Sequence, residues 1–532
     1  MSSLTDQVDA LFARWDRPDS PGCALGVIQN GEFVYRRGYG MANLEHDVPI
    51  SSTTVFRVGS LSKQFTAASV ALLAERGQLS LDDDVRRYLP ELPTYGRPIT
   101  VRHLIHHTSG VRDYLELMSL AGMGDDDFYT DAQVIEMIAR QQGLNFAPGD
   151  EYLYSNSGYY LLGLIVKRVS GQSLRQFADE NIFQPLGMAN THFHDDHTEI
   201  VRHRAAGYAP RDDGRYRIYM TALDMVGDGG LFTAVDDLLL WDRNLDDNRL
   251  GQGGPDLIQL MLTPGRLNSG QELAYAFGLV VGDHRGLKTV GHGGAFVGFR
   301  AEVIRFPEQR LSVICLANLS TFNPGRLARQ VADVYLADHL AKGSVPTVGS
   351  VELPEQDLQD RAGVYRSAAS GAILELSVQG GQLMADLFGR RFALAPVSAT
   401  RFRALDASFD AEVEFEGEGP DGPRLVRLLL EDMPPDTLAE IEVASPGADQ
   451  LAGYVGRYDS AELQVTYEFV LEGGHLTVRY RNAPQEPLKP LVDDMFHVGG
   501  QTFHFSRDGQ DRVSGFTVST GRVRNVRFLR RV

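Results

Sequence analysis

Apolar positions change their spacing along the first 340 residues, and the changes predict strands at both ends with helices between them. The segment from Cys23 to Tyr39 has the pattern of a hairpin turned at Asn30-Gly31. Residues 300–318 form a second strand pair turned near Pro307-Glu308. Between them, 56–79 and 159–165 are apolar runs suited to buried helices. The pattern therefore predicts an α+β domain.

The C-terminal third follows a different pattern and repeats itself. A helix is predicted over 323–342, and a linker over 343–349. Beyond the linker, one set of positions recurs at a constant offset: Leu358, Gly363, Tyr365 and Ser367 return as Leu451, Gly456, Tyr458 and Ser460. Both copies show short alternating strands, which indicates two small antiparallel β-barrels, since a closed barrel leaves no sheet edge exposed. The predicted domains are 1–345, 350–447 and 448–532.

Composition narrows the classes of function. The net charge of −19 argues against a nucleic-acid partner, which usually requires a basic face. No apolar stretch approaches the roughly 20 residues that span a bilayer, so no membrane partner is expected. The first residues lack the pattern of a signal peptide. Only Cys23 and Cys315 are present, and both are expected to be buried thiols. A cytoplasmic location is the simplest expectation.

The strongest chemical signal is Ser60-Leu61-Ser62-Lys63, at the predicted start of a helix. Residues three apart on a helix are neighbours, so the Lys63 amine can lie beside the Ser60 hydroxyl. A serine needs an adjacent base to act as a nucleophile, and a lysine can be that base. Taken alone, the same pattern also fits a capping serine beside a solvated lysine.

Two further motifs favour the chemical interpretation. Tyr154-Ser155-Asn156 lies in the connection before a predicted buried helix, where polar groups can face a cleft. His292-Gly293-Gly294 lies between two β-prone runs that are expected to join near the glycines, which would let a substrate lie along that backbone. Each motif alone is typical of a turn. In this order, and with Ser60 and Lys63, they predict a single active site.

This set of motifs resembles the penicillin-recognising serine hydrolases, which include class C β-lactamases and DD-peptidases. The resemblance covers roughly residues 10–340, and the chain is most similar to the D-aminopeptidases in SKQFT, SGVRDYLEL, GHGGAFVGFR and the long C-terminal extension. It implies an antiparallel sheet shared by the first and last strands, helices on both sides and an all-helical region. It also implies two barrels after that domain. The homodimer that we expect rests on the relatives alone.

The resemblance also implies the roles of the site residues. Ser60 is the expected nucleophile, and either Lys63 or Tyr154 takes its proton. A tyrosine with an ordinary pKa near 10 needs nearby positive charge for that role, from Lys63 and also from His292. Asn156 is expected to bind Lys63 and the substrate. The backbone N–H groups of Ser60 and Ala295 form the expected oxyanion hole.

His292 departs from the lysine that most β-lactamases have at this position. A histidine carries no fixed charge at neutral pH, so the departure indicates a substrate that needs no carboxylate near the scissile bond. An aminopeptidase must also bind an ammonium group. Asp494 is the candidate for that substrate-binding role, although it and Asp493 also fit two solvated turn acids. No metal site and no cofactor are predicted.

Three classes of function remain open from the sequence. The first is an aminopeptidase or amidase that releases N-terminal D-amino acids from small peptides or amides. The second is an esterase or β-lactamase with the same site. The third is a penicillin-binding sensor that is acylated and does not turn over. The expected partner in each case is a small-molecule or short-peptide substrate.

Overall fold

A computed structural model describes residues 3–124, 127–340, 351–405, 407, 409–417, 422–430, 435–481 and 486–531. The predicted linker at 343–349 lies outside the described residues. The chain forms two compact units. The first comprises Met1–Val111, Asp125–Ile135 and Phe146–Lys342, and the second comprises Arg112–Gly124, Glu136–Asn145 and Gly343–Val532. No helix within the described ranges is long and apolar enough to cross a membrane.

The helices in chain order are α1 (Leu4–Phe12), α2 (Lys63–Glu75), α3 (Val101–Ile105), α4 (Tyr114–Leu120), α5 (Asp131–Ala139), α6 (Asn156–Ser170), α7 (Leu174–Ala178), α8 (Gln184–Leu186), α9 (Val235–Asp246), α10 (Asp256–Met261), α11 (Pro324–Tyr335), α12 (Glu355–Gln359) and α13 (Ala448–Ala452). Shorter helical turns cover Gly59–Ser62, Val85–Arg87, Asp179–Phe183 and Pro307–Gln309.

The strands of the first unit are β1 (Cys23–Gln29), β2 (Glu32–Tyr39), β3 (Met41–Asn43), β4 (Val48–Pro49), β5 (Phe56–Arg57), β6 (His192–Phe193), β7 (Tyr208–Pro210), β8 (Tyr216–Ile218), β9 (Leu231–Thr233), β10 (Val280–His284), β11 (Leu287–Phe296), β12 (Phe299–Phe306) and β13 (Leu311–Ala317).

An antiparallel sheet in the order β10-β11-β12-β13-β1-β2 organises the first unit. The first and last strands pair in its interior, with Cys23 opposite Ala317. Both predicted hairpins are present, turned at Asn30-Gly31 and at Pro307–Gln309. The glycines after His292 lie within β11, and the turn to β12 comes later, at 297–298. The two strands therefore join near these glycines, as predicted, but a few residues further along the chain.

Helices pack on both faces of this sheet, through apolar side chains on one face and polar contacts on the other. On one face, Val8 and Phe12 of α1 and Val331 of α11 pack into a core with Leu25 and Val313. On the other face α9 is fixed by polar contacts, because Asp242 accepts a hydrogen bond from Ser312 at 2.6 Å and pairs with Arg305 at 2.8 Å. Helix α6 packs against α2, α3 and α7, and these helices form the predicted helical region. The predicted α+β architecture, a sheet with helices on both sides, is thus confirmed.

The first barrel of the second unit is closed, as predicted, by the strands β14 (Gly363–Ser367), β15 (Ile373–Gln379), β16 (Gln382–Leu387), β17 (Arg390–Pro396), β18 (Arg401–Leu405), β19 (Ala411–Glu416), β20 (Leu425–Leu430) and β21 (Asp436–Glu440). Strand β14 pairs with β21 to complete the ring.

The second repeat is an eight-stranded sheet in the order β24-β23-β22-β29-β28-β27-β26-β25. A single bridge between Thr477 and Pro487 connects its two ends. Its strands are β22 (Gly456–Ser460), β23 (Val465–Glu472), β24 (His475–Arg479), β25 (Lys489–Pro490), β26 (Met495–Val498), β27 (Gln501–Arg507), β28 (Val513–Ser519) and β29 (Val526–Arg530).

The sequence repeat corresponds to a repeated contact. The Tyr365 hydroxyl donates to the carbonyl of Arg361 at 2.9 Å, and the Tyr458 hydroxyl donates to the carbonyl of Tyr454 at 2.8 Å. Each tyrosine thereby fastens the first strand of its repeat to the helical turn before it. This shared bond explains why the pair of tyrosines recurs in the sequence.

Part of the chain that precedes the barrels folds with the second unit. Arg112 donates to Glu462 at 2.7 Å and to Gln141 at 2.9 Å, and the Arg112 and Glu462 side chains are only 4% and 5% exposed. The boundaries predicted in chain order did not include this insertion of 112–124 and 136–145 into the second unit. The division into three domains stays a prediction.

Candidate active site

The motif Ser60-x-x-Lys63 is built on a tight helical turn that leads directly into α2. The turn spans Gly59–Ser62, and Lys63 is the first residue of α2. Ser62 fixes the turn because its hydroxyl donates to the Gly59 carbonyl at 2.6 Å and accepts from the Leu231 N–H at 3.0 Å. The spacing therefore brings the serine and lysine side chains together, as the sequence predicted.

Lys63 is fully buried and its amine connects the first two motifs. Its Nζ lies 3.1 Å from Ser60 Oγ, 2.9 Å from Asn156 Oδ1 and 2.6 Å from the carbonyl oxygen of Asp228. Amide and carbonyl oxygens can only accept, so Lys63 donates to Asn156 and Asp228 in either of its protonation states. The Ser60 hydroxyl can accept from an ammonium group or donate to a neutral amine. The second arrangement is that of a general base beside its nucleophile.

Tyr154 lies against the same amine. Lys63 Nζ is 4.7 Å from the centroid of the Tyr154 ring, and the Tyr154 hydroxyl is buried. Asn156, predicted to precede the helix, is instead the first residue of α6. The ring of Tyr154 is held by His107, whose centroid is 4.2 Å away and whose Nδ1 accepts from the Ser155 N–H at 3.1 Å.

His292 presents an uncharged ring to the site. Its Nδ1 lies 2.5 Å from the Gly293 carbonyl, an obligate acceptor, so Nδ1 carries the proton. Its Nε2 therefore accepts from the Tyr275 hydroxyl at 3.0 Å. Burial, with a smaller effect from the charge of Lys63, lowers the pKa of His292 to about 4. His292 is thus neutral near pH 7 and does not supply the positive charge that we considered for Tyr154.

The predicted oxyanion hole lies where two backbone segments meet. Gly59 has a φ of +53°, and a Cβ there would lie 2.9 Å from the Ala295 nitrogen. A Cβ on Gly294 would lie 1.9 Å from the Val58 carbonyl oxygen, so this position has no room for a side chain. Close packing on the serine turn therefore requires Gly294, whereas contact of Gly293 or Gly294 with a substrate stays a prediction.

Three groups of this site were missed by sequence reasoning. They are the Asp228 carbonyl on Lys63, the Tyr275 hydroxyl on His292 and the His107 ring on Tyr154. The run Gly227-Asp228-Gly229-Gly230 predicts a tight loop. This was the sequence signal that could have indicated the contact from the Asp228 carbonyl. His107 lies in a turn just after α3, where its φ is +58°. Tyr275 had no distinguishing signal.

Asp494 lies in the second unit, where its carboxylate already has partners. Arg507 donates to it at 2.8 and 2.9 Å, and the Tyr454 hydroxyl donates at 2.8 Å. Hydrogen bonds from Arg507, with help from Tyr454, lower the pKa of Asp494. The carboxylate is therefore charged but neutralised by Arg507. Its role in binding a substrate amine stays a prediction.

Comparison with known proteins agrees with this geometry. A family model described as Beta-lactamase matches residues 8–337. A D-aminopeptidase of Gluconobacter oxydans (strain 621H) is 29% identical over 534 residues, which cover 95% of this chain and 94% of that protein. Penicillin-binding protein 4* of Bacillus subtilis (strain 168) is 28% identical over 422 residues, which cover 73% of this chain and 88% of that protein.

Solved structures agree in fold. The octameric penicillin-binding protein homologue from Pyrococcus abyssi is similar with a TM-score of 0.58 at 25% identity, over 82% of this chain and 99% of that chain. A D-amino acid amidase from Ochrobactrum anthropi SV3 is similar with a TM-score of 0.53 at 22% identity, over 64% of this chain and 100% of that chain. The predicted resemblance is confirmed, and because the family model matches more than half of its residues, this chain belongs to the beta-lactamase family.

Proposed function

We propose that this protein is a serine hydrolase that releases N-terminal D-amino acids from small peptides or amides through an acyl-enzyme. The observation that carries the proposal is the contact of Ser60 with the buried amine of Lys63, beside a neutral His292. The similarity to D-aminopeptidases over nearly the whole chain supports the choice of substrate.

In the proposed mechanism, Ser60 Oγ attacks the substrate carbonyl and passes its proton to Lys63 Nζ. Asn156 and the Asp228 carbonyl orient that amine, since both hold it by hydrogen bonds. The carbonyl oxygen becomes negatively charged and accepts hydrogen bonds from the backbone N–H groups of Ser60 and Ala295. The C–N bond then breaks, and the leaving amine takes a proton from Lys63 or through Tyr154. Water releases the acyl group by the reverse route.

The third motif favours a substrate without a carboxylate at the reacting end. A lysine in place of His292 would offer a permanent positive charge, whereas the buried imidazole offers none near pH 7. Desolvating a substrate carboxylate without a partner is costly. An amide or an amino-acid amide is therefore favoured over the C-terminal peptide of a DD-carboxypeptidase.

The test compares the wild type with Ser60→Ala on four chromogenic substrates: a D-alanine p-nitroanilide, its L-isomer, a p-nitrophenyl ester and nitrocefin. We expect steady turnover of the D-anilide by the wild type. In Ser60→Ala, we expect turnover to fall by at least about 10⁴-fold, because the nucleophile is lost. Labelling by a serine-directed phosphonate should disappear with it.

Other outcomes identify the alternative functions. Faster turnover of the ester or of nitrocefin would favour the esterase or the β-lactamase. A single stoichiometric burst without steady turnover would favour the sensor. If Ser60→Ala keeps wild-type activity, the assignment of the nucleophile is wrong. Ser62→Ala is not a control for activity, because the Ser62 hydroxyl holds the turn that carries Ser60. It tests only the contribution of that hydrogen bond to the structure of the turn.

A further inference from the structure

Two histidines and a glutamate form a compact cluster in the first unit, apart from the groups that contact Ser60 and Lys63. They are His192 and His194, at and just after β6, and Glu199. Glu199 Oε2 lies 3.9 Å from His192 Nε2 and 3.6 Å from His194 Nδ1. The His194 side chain is 3% exposed and that of His192 is 19% exposed. Neither of these ring nitrogens has a hydrogen-bond partner.

The protonation of the cluster suits metal binding. Burial lowers the pKa of His194 to about 4 and also lowers the pKa of His192, so both rings are neutral near pH 7. Hydrogen bonds from Arg175 lower the pKa of Glu199, which keeps its carboxylate ionised. Neutral imidazoles and an ionised carboxylate are the forms in which these side chains bind metals.

We propose that His192, His194 and Glu199 form a binding site for a divalent transition-metal ion, with Zn²⁺ as the best match. Two imidazole nitrogens and one carboxylate oxygen are ligands typical of zinc. Donors about 2.1 Å from a tetrahedral ion lie about 3.4 Å from one another. The two nitrogen–oxygen separations, 3.9 and 3.6 Å, are slightly larger. All three donor atoms lie within 4.8 Å of one another, so the side chains would have to move together to bind an ion.

Arg175 gives the carboxylate a fixed orientation. Its guanidinium donates to the two oxygens of Glu199 at 2.7 and 2.8 Å and to Asp195 at 3.0 Å. A carboxylate oxygen has two lone pairs, so Glu199 Oε2 can accept from Arg175 and bind an ion at once. Hydrogen bonds that hold ligating carboxylates are a regular part of metal sites.

The position of the cluster indicates a structural role. Strand β6 pairs with β9, and the His194 N–H donates to the Gly230 carbonyl at 2.8 Å. Gly230 ends the loop in which the Asp228 carbonyl accepts from Lys63. An ion at this site would join β6 to the segment at Glu199 and so steady the strand on which this loop rests. The site has no contact with the reacting atoms in this arrangement, so we assign it no catalytic step.

The experiment uses the full chain after treatment with a chelator, titrated with Zn²⁺ by calorimetry and with Co²⁺ by visible spectroscopy. We expect about one Zn²⁺ ion to bind tightly per chain, and the Co²⁺ complex to show the ligand-field bands of a four- or five-coordinate ion. His192→Ala and Glu199→Gln should each weaken binding by more than about 10-fold, because each removes a ligand. His197→Ala is the matched control, since this nearby exposed histidine pairs with Asp224 outside the cluster.

Stability provides a second readout. Zn²⁺ should raise the unfolding temperature of the wild type and of His197→Ala in proportion to the logarithm of its concentration, and should not raise that of the two ligand variants. Circular dichroism establishes that each variant is folded. If the wild type binds no ion at this affinity, or if both ligand variants bind as the wild type does, the proposal is overturned. Because neither readout is hydrolysis, these outcomes are independent of the proposed enzymatic function.

Discussion

At the scale of single residues, the site depends on how charge is distributed among its buried polar groups. Lys63 Nζ contacts Ser60, Asn156 and the Tyr154 ring. His292 is uncharged and is held by Tyr275. A buried lysine can act as a neutral base toward the nucleophile or as a cation that binds an anionic substrate. The contact with Ser60 favours activation, so recognition of the substrate must depend on other groups.

Asp494 provides a residue-scale test of amine recognition. If this carboxylate binds the substrate ammonium, Asp494→Asn should raise KM for the D-alanine p-nitroanilide by about 10-fold or more, because a charged hydrogen bond is lost. The p-nitrophenyl ester of an acid that lacks an amino group should be unaffected.

The neighbouring Asp493→Asn is the matched control for this variant and should leave both substrates unchanged. Because Arg507 already neutralises Asp494, a change in stability is also expected, and it is measured separately by thermal unfolding. Equal effects of Asp494→Asn on the two substrates would remove the proposed role.

At the scale of elements, the site is formed where the serine turn meets strand β11. The Cβ that alanine would add at position 294 lies 1.9 Å from the Val58 carbonyl oxygen, so the two backbones must separate in a Gly294→Ala variant. That separation moves the Ala295 N–H away from the Ser60 N–H. We expect kcat to fall by about 100-fold, the usual effect of losing one oxyanion donor.

Gly282→Ala is the control for this substitution. Position 282 lies on β10, in the same sheet, and an added Cβ would meet only the Thr289 hydroxyl, at 3.3 Å. The control should keep nearly full activity. Kinetics on the anilide, with thermal unfolding of both variants, checks the prediction. Similar kcat values for the two variants would contradict it.

The elements also show what could be predicted from the sequence and what could not. Ser60 and Lys63 are neighbours on one helical turn, so their contact follows from spacing alone. The contacts from Asp228 and Tyr275 could not be predicted, because a backbone carbonyl has no sequence signature and Tyr275 is distant along the chain. The spacing of His192 and His194 can be read from the sequence. Glu199 lies next to them only because of the path of the loop that follows, which the sequence does not predict.

At the scale of the whole molecule, a buried ion pair joins two segments of the second unit. Arg112 and Glu462 connect the inserted segment 112–124 to the second repeat, and both side chains are almost fully buried. Arg112→Leu leaves the Glu462 charge without this partner in a dry environment. We expect the free energy of unfolding of this unit to fall by about 3–5 kcal/mol, measured by urea denaturation.

The double variant Arg112→Leu/Glu462→Leu should recover part of this loss, because no unpaired charge remains buried. Arg457→Leu is the comparison for an exposed pair, since Arg457 and Glu468 are 61% and 38% exposed, and it should cost less than about 1 kcal/mol. A single variant at Arg112 that is as stable as the wild type would show that the pair contributes little.

The pairing of β1 with β13 has a consequence for how the protein is made. On the ribosome, Cys23–Gln29 is synthesised long before Leu311–Ala317, its neighbour in the sheet. Until then the nascent hairpin of β1 and β2 has an open edge that can pair with other chains. The sheet can be completed only when about 320 residues have been made, so the nascent chain is exposed to aggregation for most of its synthesis.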